Sequence, residues 1–183
     1  IVYAAQKTGI LSVAPGKTYK EVHLAASQII AEGLANLGFL KGASEDIVAS
    51  GAHALFFPHG LGHLLGLDVH DLENLGEELV GYGKKQKRSR QFGLNYLRFA
   101  KELLPGMTLT VEPGIYFIPA LIKKWRKENK HPEFVNYEKA ESNLDFGGIR
   151  IEDDVLVTES GSRVLGEPIP KEIHEIEELM SQA

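Results

Sequence analysis

The sequence contains no cysteine, which excludes disulfide bonds and thiolate metal ligands. It also lacks an apolar run long enough to span a bilayer. Basic residues are not in excess, because the formal net charge is −5. A negative balance provides no electrostatic attraction for nucleic acid. We therefore expect a cytoplasmic protein with neither a membrane nor a nucleic acid as partner.

The 183 residues are 43% hydrophobic and 25% charged, which is enough for one domain with a sizeable core. The first 13 residues have a helical pattern that Pro15 and Gly16 stop. The next helix begins with the capping-box spacing of Thr18 and Glu21 and closes at Gly38. Helices are also predicted over 44–49, over 119–129 and from Pro170 onward. Strands are predicted over 107–112, 115–118, 149–158 and 163–165. The residues 75–92 are predicted to form a long loop. Helices on either side of an apparently antiparallel sheet predict an α+β fold.

The most informative stretch is residues 57–71, with the sequence FPHGLGHLLGLDVHD. It places His59, His63 and His70 within twelve positions and separates them with glycines. Imidazole is both a common metal ligand and a proton carrier near neutral pH. Glycines let the backbone turn tightly enough for the rings to converge. A surface pair at helical i, i+4 spacing is the alternative for His59 and His63, and the intervening glycines disfavour that helix.

Two glutamates downstream interrupt apolar, strand-like runs. Glu112 lies within LTVEPGIY, and Glu152 lies within GGIRIEDD. One histidine and two glutamates on rigid elements would form a hard, oxygen-rich metal site. We predict that the two carboxylates lie on adjacent strands and converge on one of these histidines. The remaining histidines are interpreted as structural: His23, His53, His131 and His174.

Three segments, residues 59–71, 104–117 and 146–153, resemble in order and spacing the metallopeptidases of the prolidase, aminopeptidase P and methionine aminopeptidase superfamily. The resemblance covers essentially the whole chain and is strongest to prolidase and aminopeptidase P. Residues 125–137 resemble an insertion that bacterial prolidases carry. The resemblance implies the α+β pita-bread fold, with a curved, mainly antiparallel sheet, flanking helices and two divalent cations in its cleft. It also implies hydrolysis of Xaa-Pro peptide bonds by a metal-bridging hydroxide.

The resemblance further implies roles for individual residues. His63, Glu112 and Glu152 would be metal ligands, and Glu152 would bridge both metals. Both glutamates would thereby take part in catalysis. His59 and His70 would be catalytic and substrate-binding residues, stabilising the charge that builds on the scissile carbonyl.

Two arginines are candidates for substrate binding. Arg150 would share a sheet face with Glu152, two positions later, and would orient a ligand carboxylate or bind substrate. Arg98 matches an arginine that prolidases use on the C-terminal carboxylate of the substrate, although a surface helix position is an equal alternative. For Asp71, orienting a pocket histidine and capping a turn are equal alternatives. Arg98 and the insertion slightly favour a dipeptidase over an aminopeptidase.

The superfamily site has five ligands, and its first two aspartates would precede Ile1. We therefore expect residues 1–183 to be the C-terminal portion of a metallopeptidase catalytic domain whose fold is incomplete. Two divalent cations are expected in the full-length protein, with manganese first and cobalt, zinc or iron as alternatives. This chain alone is expected to hold none or one and to be inactive. The expected partners are a proline-containing dipeptide or peptide substrate and a second copy in a homodimer.

Two other functions are compatible with the fold. One is a non-catalytic pita-bread binding module, and the other is a creatinase-like, metal-free hydrolase. Neither function gives a reason to keep His63, Glu112 and Glu152 together. The metallopeptidase is therefore favoured over both alternatives.

Overall fold

Helices surround a four-stranded antiparallel sheet and a two-stranded one in the computed structural model, which describes residues 1–71, 76–84 and 86–182. The helices are α1 (Val2–Ser12), α2 (Tyr19–Asn36), α3 (Ser44–Ser50), α4 (Pro119–Lys127), α5 (Tyr137–Glu141) and α6 (Ile173–Ser181). The strands are β1 (Leu64–Leu65), β2 (Thr108–Val111), β3 (Gly114–Tyr116), β4 (Gly148–Arg150), β5 (Asp153–Val157) and β6 (Ser162–Val164). The strand order is β1-β2-β5-β6 in the larger sheet and β3-β4 in the smaller one. The predicted α+β class with antiparallel pairing is confirmed.

Helix α2 begins where the sequence predicts. The Thr18 side chain accepts the backbone N–H of Glu21, and the Glu21 carboxylate accepts the backbone N–H of Thr18 at 2.7 Å. The backbone N–H groups of Thr18 and Glu21, which have no partner within the helix, are thus both hydrogen-bonded. The helix packs along α1 and buries one apolar face, which includes Tyr19, Val22 and Ile30.

Both strands that carry the predicted acidic ligands are interrupted at those residues. Strands β2 and β5 pair as far as Val111 opposite Asp153, and pairing resumes in the other sheet with Gly114 opposite Arg150. Pro113 has no N–H to donate to a ladder, so a continuous ladder cannot form there. The single strand predicted over 149–158 is therefore wrong: it is two strands in two sheets. Glu112 and Glu152 lie at the junction between the sheets.

Two segments differ from the sequence prediction. The predicted loop over 75–92 contains a helical turn at Glu78–Tyr82, although residues 75 and 85 lie outside the described residues. Tyr82 is buried and its hydroxyl donates to the carbonyl of Leu97, so tertiary packing stabilises that turn. Helix α5 forms in a region where no element was predicted, and the Asn136 side chain caps it by accepting the N–H of Lys139.

The C-terminal helix begins at Ile173 rather than at Pro170 and has no buried residue. Its apolar side chains remain accessible, with Ile173 73% and Leu179 58% exposed. The strands β5 and β6 that precede it form a hairpin through the turn at residues 158–161. Among the described residues, no helix combines the length and the apolar character needed to cross a bilayer.

Candidate active site

A cavity of about 830 Å³ opens where the two sheets meet. It is bounded by the histidine-rich loop, the two strand interruptions and the segment that precedes Phe99. The cavity brings together all seven residues predicted for the site: His59, His63, His70, Arg98, Glu112, Arg150 and Glu152.

The three predicted metal ligands converge. One ligand atom from each of His63, Glu112 and Glu152 lies within 4.8 Å of the other two. His63 Nε2 is 3.4 Å from Glu112 Oε1. The predicted convergence of both carboxylates on His63 is confirmed, although Glu112 and Glu152 lie between paired strands rather than within them. Their role as ligands stays a prediction.

Backbone and side-chain contacts hold His63 in the orientation a ligand needs. Its Nδ1 is 3.0 Å from the carbonyl of Leu64. A carbonyl only accepts, so Nδ1 carries a hydrogen, and Nε2 is the ring nitrogen that faces Glu112. A hydrogen bond from the non-ligating ring nitrogen is the usual way in which a metal-binding histidine is fixed in its tautomer.

Thr110 joins the two ligand-bearing segments, and the sequence reasoning missed it. Its hydroxyl accepts the backbone N–H of His63 at 3.0 Å and donates to Glu112 Oε1 at 3.0 Å. The available signal was its position two residues before Glu112, because side chains at i and i+2 of a strand share a face.

The carboxylates lie in an electrostatically strained setting. Burial raises the pKa of Glu112, and the nearby charge of Glu152 raises it further, while the Thr110 hydroxyl and His63 oppose the shift. Arg150 bridges the pair, with Nη1 3.7 Å from Glu112 Oε2 and Nε 3.5 Å from Glu152 Oε2. Two carboxylates that repel each other beside an available imidazole nitrogen fit a divalent cation, because its charge compensates both and its preference is for oxygen and imidazole donors.

His59 is neutral and has a different partner from the metal ligands. Its Nδ1 is 2.7 Å from the carbonyl of Gly60, so Nδ1 carries the hydrogen, and Nε2 accepts from the Tyr116 hydroxyl at 3.1 Å. Burial lowers the pKa of His59, and the charges of Arg150 and Arg98 lower it further against the opposing effect of the Gly60 carbonyl. Tyr116 was also missed from the sequence, although it ends the same motif as Glu112.

His70 and Asp71 close one side of the loop. The His70 ring packs edge-on against the His63 ring, with centroids 4.3 Å apart, and faces the cavity. The Asp71 carboxylate is 3.5 Å from the backbone N–H of Asp68, and the Asp71 N–H donates to the carbonyl of Leu64. These contacts favour the turn-capping interpretation of Asp71.

The opposite rim is basic. Arg98 lines the cavity together with Arg88 and Tyr96. Arg88 forms an ion pair with Glu77, stacks its guanidinium 5.5 Å from the centre of the Tyr82 ring and donates to the carbonyl of Asn95. The rim residues Glu77, Arg88 and Tyr96 carried no sequence signal, because the intervening segment is polar and irregular.

Known proteins resemble this chain in sequence and in structure. The profile of metallopeptidase family M24 matches residues 1–159. Human Xaa-Pro dipeptidase is 42% identical over 167 residues, which are 91% of this chain and 32% of that protein. The structure of proline aminopeptidase P II from Yersinia pestis superposes with a TM-score of 0.70 at 34% identity, over all of this chain and 34% of that one. Escherichia coli aminopeptidase P with the inhibitor Pro-Leu gives 0.69 at 34% identity, over 99% and 33%.

The chain spans about a third of the length of these relatives. Within that third, the likeness extends through the whole described fold, so the predicted pita-bread fold is confirmed. The profile match, which begins at residue 1 and continues beyond Glu152, includes every residue that lines the cavity. The chain therefore belongs to metallopeptidase family M24.

Proposed function

We propose that the protein containing this chain hydrolyses Xaa-Pro peptide bonds as a dinuclear metallo-exopeptidase, and that residues 1–183 are the C-terminal portion of its catalytic domain. The convergence of His63, Glu112 and Glu152 within 4.8 Å, inside a cavity of about 830 Å³, carries the proposal. The identity with an Xaa-Pro dipeptidase and the likeness to aminopeptidase P structures support it. Because those relatives are about three times longer, the remaining ligands would come from elsewhere in the protein.

His63 Nε2 and the carboxylates of Glu112 and Glu152 would hold the metal, and manganese is our first choice. Divalent cations supply Lewis acidity and lower the pKa of water to near neutrality when they are bound. Thr110 fixes Glu112 from one side, and the Leu64 carbonyl fixes the His63 tautomer, so two of the three ligands are preorganised. Preorganisation of this kind removes the need to order the ligands when the metal binds.

Glu152 is the carboxylate placed to move a proton. Its side chain is 39% exposed on the cavity side, whereas that of Glu112 is 13% exposed. We assign Glu152 the acceptance of the proton from the attacking water. His70, whose ring faces the cavity beside His63, would donate to the oxygen of the scissile carbonyl as negative charge develops there. His59 would contact the substrate from the Tyr116 side.

We favour a dipeptidase because of the basic rim. Arg98 faces the cavity and would bind the C-terminal carboxylate of a dipeptide through its planar guanidinium, which suits bidentate recognition. A longer peptide would place an amide there instead of a carboxylate. Arg98→Lys should therefore raise KM for Xaa-Pro dipeptides more than it lowers kcat.

Turnover of Xaa-Pro dipeptides and of longer Xaa-Pro peptides by the manganese-loaded protein tests the proposal. Cleavage of the dipeptides is expected. Glu152→Gln should abolish turnover rather than raise KM, because it removes both a ligand and the proton acceptor, whereas Glu159→Gln in the exposed β5–β6 turn should not. Full activity in Glu152→Gln would contradict the mechanism, and hydrolysis of longer peptides only would contradict the dipeptidase assignment.

Two further expectations are a homodimeric state, from the family resemblance, and a cytoplasmic location, from the composition. Sedimentation of the purified protein and fractionation of the cells that produce it would test them.

A further inference from the structure

His23 is a buried histidine that the proposed mechanism does not use. It lies on α2, one turn after Tyr19, and is 1% exposed. Its Nδ1 accepts the backbone N–H of Leu61 at 3.2 Å. Its Nε2 is 3.4 Å from the hydroxyl of Ser27, which itself donates to the His23 carbonyl, so the hydroxyl receives the hydrogen that Nε2 carries. The ring is therefore neutral, with Nδ1 kept as an acceptor.

Leu61 is the residue midway between His59 and His63, and its peptide groups are bonded on both sides. Its N–H goes to His23, and its carbonyl accepts the backbone N–H of Glu112 at 2.8 Å. The next ladder bond joins the N–H of Thr110 to the carbonyl of His63 at 2.9 Å. The loop thus pairs like a short strand with the end of β2. His23 restrains the loop through the N–H of Leu61.

Few side chains between His59 and His63 can anchor the loop. A Cβ at Gly62 would lie 2.2 Å from the carbonyl oxygen of Thr110, and one at Gly60 would lie 2.7 Å from Cα of Leu97. Two of the three residues between His59 and His63 therefore contribute backbone only. Leu61 supplies the one side chain, which is fully buried. An apolar residue in place of His23 would leave a buried N–H unpaired at the centre of this loop.

We propose that His23 is a positioning residue that sets the separation between His63 and Glu112 by fixing the peptide of Leu61. This inference rests on the proposed function, since it gives His63 and Glu112 the role of ligands. It makes α2, a helix outside the cavity, partly responsible for the affinity of the site for metal.

The electrostatics of the site support this role. Burial lowers the pKa of His23 to about 3, and nearby His53, His59 and Lys20 lower it in the same direction. The acceptor on Nδ1 is consequently available throughout the neutral pH range. Tyr19 reinforces the same helix face, because its hydroxyl donates to the carbonyl of Thr110 at 2.6 Å.

Asparagine and leucine have similar shapes, so replacing His23 with each of them separates the effect of the hydrogen bond from the effect of packing. In both His23→Asn and His23→Leu an atom occupies the branch position of Nδ1, but only the asparagine oxygen can accept from Leu61. His53→Leu is the matched control, because His53 is also buried, at 5% exposure, and the peptide groups of Leu61 bond to His23 and Glu112 instead. The measurements are manganese affinity by calorimetry and exchange rates of backbone amides by NMR.

His23→Leu should weaken manganese binding by about tenfold or more, the scale found when partners that orient metal ligands are removed. It should also speed amide exchange at Leu61 and Glu112. His23→Asn should stay close to wild type in both respects, and His53→Leu should retain manganese affinity. Equal manganese affinity in His23→Leu and wild type would overturn the inference.

The amide readout separates this inference from the proposed function. If the full-length wild-type protein binds no manganese, the metal site is refuted, and unchanged exchange at Glu112 in His23→Leu would refute the positioning role as well. If His23→Leu does not fold, the nitrogen chemical shifts of His23 in the wild-type protein provide the test. A protonated Nδ1 would overturn the inference. An unprotonated Nδ1, together with wild-type manganese affinity in His23→Asn, would support it.

Discussion

Acidification should destabilise this fold through two buried histidines. Burial lowers the pKa of His23 to about 3 and that of His53 to about 4, against 6.5 for an unperturbed side chain. Both rings are therefore neutral in the folded chain at pH values where they are protonated in the unfolded chain. Because the unfolded state binds more protons, stability is complete above pH 6.5 and falls as the pH drops toward 4.

The magnitude follows from the two pKa values. A pH of 5 is about 1.5 units below the unperturbed pKa of histidine. Protonation at this pH therefore stabilises the unfolded state by about 2 kcal/mol for each residue. Together they remove about 4 kcal/mol between pH 8 and pH 5, a large share of a typical unfolding free energy of about 5–15 kcal/mol. Glu112 acts in the opposite direction, because its raised pKa favours the folded state in acid, but it does so equally in all histidine variants.

Urea unfolding at pH 8 and at pH 5 measures this loss. His23→Asn should lower the difference in unfolding free energy between the two pH values by about 2 kcal/mol relative to wild type. His174→Asn on exposed α6 is the control for histidine replacement. If His23→Asn shows the same pH dependence as wild type, the ring is not held neutral in the folded chain and the reasoning is refuted.

Three other perturbations have defined outcomes. Gly62→Ala should cost about 1–3 kcal/mol by urea unfolding, because its Cβ would overlap the carbonyl oxygen of Thr110, whereas Gly161→Ala has open space and should be neutral. Trp125→Ala should cost about 3–5 kcal/mol, since this side chain is 2% exposed in the core; a loss below 1 kcal/mol would show that the site is not packed as described. An apolar cavity of about 490 Å³ between α6 and the smaller sheet predicts self-association of the isolated chain, and light scattering that shows a clean monomer would contradict it.

Local patterns were enough to predict most elements. The capping box at Thr18 and Glu21 requires only neighbouring residues, so α2 begins where expected. The β5–β6 hairpin likewise depends on a short turn between two strand patterns. The helical turn at Glu78–Tyr82 was missed because the buried Tyr82 and its bond to Leu97 stabilise it, and neither is visible in a local pattern.

The same division applies to the site. Residue type predicted a site of one histidine and two carboxylates, and the family resemblance singled out His63, Glu112 and Glu152. The partners that orient them were not identified. Thr110 could have been inferred from strand alternation, but His23 precedes Leu61 by 38 residues, and only the packing of α2 against the loop brings them together.

The amino-acid sequence by itself determined the fold class, the family resemblance and the identity of the converging side chains, since these depend on composition, periodicity and spacing. Tertiary structure alone decided the neutral tautomers of His59 and His23 and the exposure of α6. Each of these depends on which backbone groups meet across long sequence separations and on how much water they exclude, and no local pattern encodes either quantity.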